Sequence, residues 1–106
     1  MPEQEIAQIK ERFITSIMPL RIYLFGSFAE GRATEDSDFD FYLVVKNGTA
    51  DLADLTAKAY KAIRNVRTRA VDIIIGTEDR FAKRRNIVIL EHEVFHKGVL
   101  LYGTES

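Results

Sequence analysis

The sequence predicts an α/β (α+β) fold, one small mixed β-sheet covered by helices. Three observations carry this expectation. Four short runs, Leu20–Phe25, Asp38–Lys46, Ala70–Ile75 and Val99–Tyr102, have the length and composition of strands. The segments around them carry apolar residues at three- and four-residue spacing, the period of a helix with one buried face. Apolar residues make up 46% and charged residues 29% of the 106 positions, enough for a modest core and too apolar for a disordered chain. A single domain spanning residues 1–106 is therefore expected.

Residues 3–18 read as an amphipathic helix. Ile6, Ile9, Phe13 and Ile17 form its stripe, and Glu3 and Glu5 sit in the first turn, where the helix dipole favours acids. Pro19 ends it, because the residue before a proline avoids the helical region. Leu20–Phe25 is largely apolar on both faces, as in a strand covered on each side. Gly26-Ser27 opens a loop, and Phe28–Arg32 is expected to form a short helix aimed at the same place. In the second strand, Asp38–Lys46, Phe39, Phe41 and Leu43 alternate with Asp38, Asp40 and Tyr42, so one face is apolar and the other carries chemistry.

Asn47-Gly48 marks a turn. Thr49 or Asp51 then caps a helix running to about Val66, with the stripe Leu52, Leu55, Ala59, Ile63 and Val66. The third strand holds a single Asp72 in an apolar run. Gly76-Thr77 is expected to turn, and Glu78-Asp79 to open another helix. Asn86–Lys97 is the last expected helix, closed by Gly98, before the edge strand Val99–Tyr102.

Composition excludes several functions. With no cysteine, disulfides, zinc fingers and thiol catalysis are ruled out. A net charge of −1 gives no general attraction to nucleic acid, which is not an expected partner. No apolar run has the length of a membrane span, and Met1–Lys10 lacks a signal-peptide pattern. No membrane association is expected, and a cytoplasmic location is.

The chemistry concentrates between residues 26 and 40. Gly26-Ser27 is followed, after ten residues, by Asp38-Phe39-Asp40. At average composition this spacing arises by chance in roughly one chain in a thousand of this size, so it calls for a function. Glycine lets the backbone approach a phosphate, and a serine hydroxyl with backbone N–H groups can hold its oxygens. Carboxylates two apart on a strand face the same way. Phosphate and carboxylates repel each other unless a cation lies between them, so the combination asks for Mg²⁺ and a nucleotide. Asp72 is costly inside an apolar strand unless paired or metal-bound. If the second and third strands are neighbours, Asp38, Asp40 and Asp72 share one end of the sheet. Two Mg²⁺ ions about 4 Å apart would relieve their repulsion and clamp an in-line phosphoryl or nucleotidyl transfer. The competing reading is that these aspartates cap strand ends or meet arginines. Arg32, beside the loop, is a candidate phosphate contact.

Two further patterns compete for attention. His92-Glu93-Val94-Phe95-His96 matches the H-E-x-x-H signature of zinc proteases on a predicted helix. A catalytic zinc usually needs a third protein ligand, and Glu105 is the one acid downstream of the match, so a solvated helix face is expected instead. Lys58, Lys61, Arg64, Arg67 and Arg69 form one basic cluster, and Arg80, Lys83, Arg84 and Arg85 another. Each reads as a solvated face or as a docking surface for an acidic protein, RNA or a triphosphate.

Gly26-Ser27, ten residues, Asp38-Phe39-Asp40 and the later strand carboxylate Asp72 resemble the nucleotidyltransferase superfamily of the DNA polymerase β type. The short length is similar to its minimal nucleotidyltransferase (MNT) branch. Gly31-Arg32-Ala33, Ser37 and the tail Gly98-Val99-Leu100-Leu101-Tyr102 also look like that branch, so the resemblance runs from Leu20 to about Tyr102. Phe28 departs from it, since relatives often carry a polar or basic residue there.

The resemblance implies a polymerase β-type nucleotidyltransferase core and a mechanism. Asp38 and Asp40 bind two Mg²⁺ ions, one of them carrying the triphosphate. Asp72 ligates the catalytic metal and helps activate an acceptor hydroxyl, which attacks the α-phosphate as pyrophosphate leaves. Gly26 and Ser27 hold the distal phosphates. Relatives that modify antibiotics or tail RNA add a substrate-binding domain, and this chain ends at Ser106. The acceptor is therefore expected on a partner protein or on a surface formed by a homo-oligomer. Similar proteins often pair with a helical HEPN protein that acts as a ribonuclease toxin; the MNT protein is the antitoxin, and some transfer AMP to a toxin tyrosine. The resulting expectation is Mg²⁺-dependent transfer of a nucleotide, AMP from ATP, to a hydroxyl of a HEPN toxin. The alternative is a non-catalytic antitoxin that acts by occluding its partner.

Overall fold

A computed structural model describes residues 2–49, 51–87 and 89–105. Met1, Ala50, Val88 and Ser106, which fall within the expected domain, lie outside the described residues. The helical period at the start of the chain gives helix α1, Glu3–Ile17, with Ile9, Phe13 and Ile17 buried. Met18 ends it in the left-handed conformation, its N–H on the Ile14 carbonyl, and Pro19 prevents continuation. The chain then runs through strand β1 (Arg21–Phe25), strand β2 (Phe39–Val45), helix α2 (Leu52–Ile63), strand β3 (Val71–Thr77), helices α3 (Glu78–Arg84) and α4 (Leu90–Lys97), and strand β4 (Val99–Tyr102). No helix among the described residues is long and apolar enough to cross a membrane.

The sheet is mixed, in the order β3-β2-β1-β4. β1 pairs antiparallel with both β2 and β4. β2 and β3 are parallel, as a connection through α2 allows. Side-chain alternation along β2 divides the core in two. Phe39, Phe41, Leu43 and Val45 join the cluster built with α1 and α2. Tyr42 and Val44 join a second cluster with Tyr23, Phe81 of α3 and Val94 of α4. The face expected to carry chemistry is thus closed by α3 and α4 along most of its length. Its open part lies at the Asp40 end.

Four local expectations are corrected. Phe28–Arg32 forms turns rather than a helix: the Glu30 N–H reaches the Gly26 carbonyl (3.1 Å) and the Arg32 N–H the Ser27 carbonyl (2.9 Å), with Gly26 and Gly31 both at positive φ. β2 begins at Phe39, so Asp38 precedes the strand. Gly76-Thr77 continues β3 instead of turning. Gly76 is small because a Cβ there would strike the Tyr42 hydroxyl, while Thr77 accepts a hydrogen bond from the Arg80 N–H and caps α3. The last helix starts at Leu90, not Asn86; Arg85 and Asn86 form a turn after α3. Glu91 of α4 thereby meets Arg80 of α3. Gly98 does follow that helix, but in an extended conformation. Its role is close packing, because a Cβ would collide with the Val94 carbonyl and approach that of Leu24.

Gly76→Ala tests this packing. The added methyl must push the Tyr42 hydroxyl from its place, at an expected cost of about 1–3 kcal/mol, read as a lower urea midpoint with an unchanged slope.

Candidate active site

The strand registers decide what meets at the open end of the sheet. Phe25 at the end of β1 pairs with Asp40, and Asp40 pairs with Asp72 across the parallel ladder. The turn that follows Phe25 therefore lies against Asp40, with Asp72 one strand further on. Gly26 is required there twice over. Its φ of +75° is strained for any residue with a side chain, and a Cβ would collide with Asp40 Oδ2. Ser27 comes next, half-buried.

Asp40 is half-buried, whereas Asp38 and Asp72 are exposed. The Asp40 carboxyl is pushed up to about 6, first by burial, then by the charge of Asp72 and a hydrogen bond shared with it, and least by Asp38. The pattern is that of carboxylates crowded together without a counter-charge. Asp40 and Asp72 converge as a pair, and Asp38 stands just outside, on the loop entering β2. Among the described residues, no three acidic or histidine side chains form a ready-made metal cage. The hard oxygen donors and the uncompensated repulsion nevertheless suit a divalent cation such as Mg²⁺.

Arg32 is exposed and pairs with Glu30 at 3.4 Å, so its guanidinium rests against a neighbouring acid on the loop. In the H-E-x-x-H segment, His92 Nδ1 lies 3.0 Å from the Arg85 carbonyl, Glu93 pairs with Lys97 at 3.5 Å, and the rings of His92 and His96 are 4.3 Å apart. Among the described residues, no third ligand joins them.

Sequence reasoning passed over two groups that the fold brings inward. Glu91, 2% exposed, accepts a hydrogen bond from the Tyr42 hydroxyl (2.9 Å) and pairs with Arg80 and Arg84. Arg69, grouped with a solvated basic cluster, instead lies over the rings of Phe28 and Phe39. Tyr42 shares a face with Asp40, the one available hint of the first group.

The Asp40 shift has a measurable consequence. A carboxyl whose folded pKa lies above its unfolded value of 3.8 favours folding most when protonated. That contribution is complete below the unfolded value and is lost as pH rises through about 6. The melting temperature of metal-free protein is therefore expected to carry a downward component across this window, and saturating Mg²⁺ to reduce it. Thermal melts in EDTA and in Mg²⁺ would show both.

A family model described as a nucleotidyltransferase domain matches residues 6–96. No curated protein matches the chain. Among solved structures, a toxin-antitoxin crystallised with AMP-PNP is 25% identical, with a TM-score of 0.59 over 99% of this chain and 76% of its own. A mutant of the toxin-antitoxin MntA-HpeT is 26% identical, with a TM-score of 0.61 over 99% of this chain and 75% of that one. A Sulfolobus solfataricus protein proposed to be a nucleotidyltransferase shares the fold, with 21% identity and a TM-score of 0.57 over 95% of this chain and 85% of its own.

Proposed function

The chain belongs to the nucleotidyltransferase domain family, and we propose that it moves a nucleotide, AMP from ATP, to a hydroxyl of a toxin partner and so acts as an antitoxin. The observation that carries the reading is Asp40, paired with Asp72 on β3 and set against Gly26 of the Gly26-Ser27 turn. A binding surface needs neither a glycine that no other residue can replace nor two carboxylates forced together. The toxin-antitoxin similarity, one instance holding an ATP analogue, supports both the nucleotide and the partner. A HEPN protein is the toxin proposed, the cytoplasm the setting, and residues 1–106 the single domain that does the work.

Asp38, Asp40 and Asp72 would hold two Mg²⁺ ions, which when bound bring the triphosphate to the site and offset the charge developing on it. The chain's own groups do the rest. The Gly26-Ser27 turn would offer backbone N–H groups and a hydroxyl to the distal phosphates, glycine adding no side chain of its own. Asp72, which is exposed, would orient the incoming hydroxyl and draw its proton. Arg32 would leave Glu30 for a phosphate oxygen.

A melting-temperature titration with ATP, GTP, CTP and UTP, each with and without Mg²⁺, tests this reading. The expected result is a rise that needs Mg²⁺ and favours ATP, from binding to the folded state alone. A flat response to all four nucleotides would favour neutralisation by occlusion.

A further inference from the structure

We propose that Arg69 is a positioning residue that sets the spacing of the three segments carrying the candidate site, acting through Phe28 and Ser37 and not through substrate. Its guanidinium carbon lies 5.1 Å from the Phe28 ring centre and 4.8 Å from that of Phe39, and the two rings are 4.7 Å apart. Phe28 follows Ser27 in the chain. Phe39 stands between Asp38 and Asp40. Arg69 itself lies three residues before Asp72. One side chain thus touches chain neighbours of Ser27, Asp38 and Asp40. Its NH1 also donates to the Ser37 carbonyl at 3.4 Å, on the loop that delivers Asp38.

The latch is tied down from behind. Glu5 of α1 accepts hydrogen bonds from the Thr68 N–H (2.6 Å) and hydroxyl (2.9 Å). The same carboxylate lies 3.9 Å from Arg69 Nε, an ion pair too long for a hydrogen bond. The Arg69 side chain is 25% exposed and that of Glu5 13%, so their ion pair is partly shielded from water. Arginine suits the place because a planar cation can face two rings while another N–H reaches a carbonyl; a lysine ammonium cannot do both.

Arg69→Lys, with Phe28→Leu removing the seat from the other side, tests the proposal by amide hydrogen exchange on nucleotide-free protein. The informative amides are hydrogen-bonded in the native loops: Glu30, Arg32, Ser37 and Phe39. In both variants these should exchange about tenfold faster, while amides within α1, α3 and α4 keep wild-type protection. Unchanged loop protection, or a loss spread evenly over the molecule, would overturn the assignment. A second readout rests on the nucleotidyltransferase reading: Mg²⁺-ATP should bind Arg69→Lys about tenfold more weakly than wild type. Binding within twofold of wild type would count against the proposal. If wild type itself ignores Mg²⁺-ATP, the proposed function fails, and the exchange pattern still decides the role of Arg69.

Discussion

Asp40→Asn is expected to abolish the stabilisation that Mg²⁺-ATP gives the wild-type protein, while making the metal-free protein more stable than wild type at neutral pH. The two effects have opposite signs and one cause. Asp40 is half-buried against Asp72, and its charge is disfavoured there by burial and by its acidic neighbours. Asparagine keeps the shape, can still hydrogen-bond Asp72, and removes the repulsion. It also removes the charge that a cation would neutralise. At a ligand concentration about 100 times Kd, wild type should gain about 2.7 kcal/mol, and the variant should gain almost none of it. Melting curves of both proteins, in EDTA and in Mg²⁺-ATP, give all four values. A variant that responds to Mg²⁺-ATP as wild type does would remove Asp40 from the site. Sites that trade stability for function in this way are a general feature of enzymes.

Glu91→Ala is expected to be the most damaging change away from that site, at about 3 kcal/mol. Glu91 is almost fully buried and is the acceptor for the Tyr42 hydroxyl, which is itself inaccessible. Its loss leaves that hydroxyl unpaired, opens a cavity beneath α4 and frees Arg80 and Arg84 from their shared carboxylate. Burial alone would raise the Glu91 carboxyl, but the Tyr42 hydroxyl, a backbone N–H and Arg80 together outweigh it and hold the group below its ordinary 4.5. A depressed carboxyl stabilises the fold above its unfolded pKa, and that contribution is lost as pH falls through the lower folded value. Urea denaturation of wild type and Glu91→Ala should therefore show a wide gap at about pH 7 that narrows as pH falls below the ordinary carboxyl value of 4.5. Glu91→Gln, which keeps an acceptor for Tyr42, should fall between the two.

Much of this architecture was legible in the chain because it rests on local periodicity. The spacing of Ile9, Phe13 and Ile17 gives α1, and the alternation from Phe39 onward gives β2. The Gly-Ser turn and its distance to Asp38 and Asp40 point to chemistry before any strand is paired. The remainder depended on contacts between distant residues. Nothing near Gly76 in sequence reveals that the Tyr42 hydroxyl will lie against it. Glu91 looks like any acid at the start of a helix until α3 and β2 close around it. Arg69 sits among other basic residues, and its inward course is fixed by two rings from segments 30 and 41 positions earlier. Asp38 fell outside the strand because pairing with β3 begins at Phe39, opposite Val71.

The most direct test of the central claim is the fate of the α-phosphate. The protein would be incubated with Mg²⁺ and an extract of its source cells, using ATP labelled at the α-phosphate in one reaction and at the γ-phosphate in another. Nucleotidyl transfer predicts that the α label becomes attached to protein, that the γ label leaves as pyrophosphate, and that Asp40→Asn does neither. Attachment of the γ label would instead mean phosphoryl transfer. No incorporation of either label, with the wild-type protein folded and its partner bound, would contradict a catalytic role for the Asp38, Asp40 and Asp72 cluster.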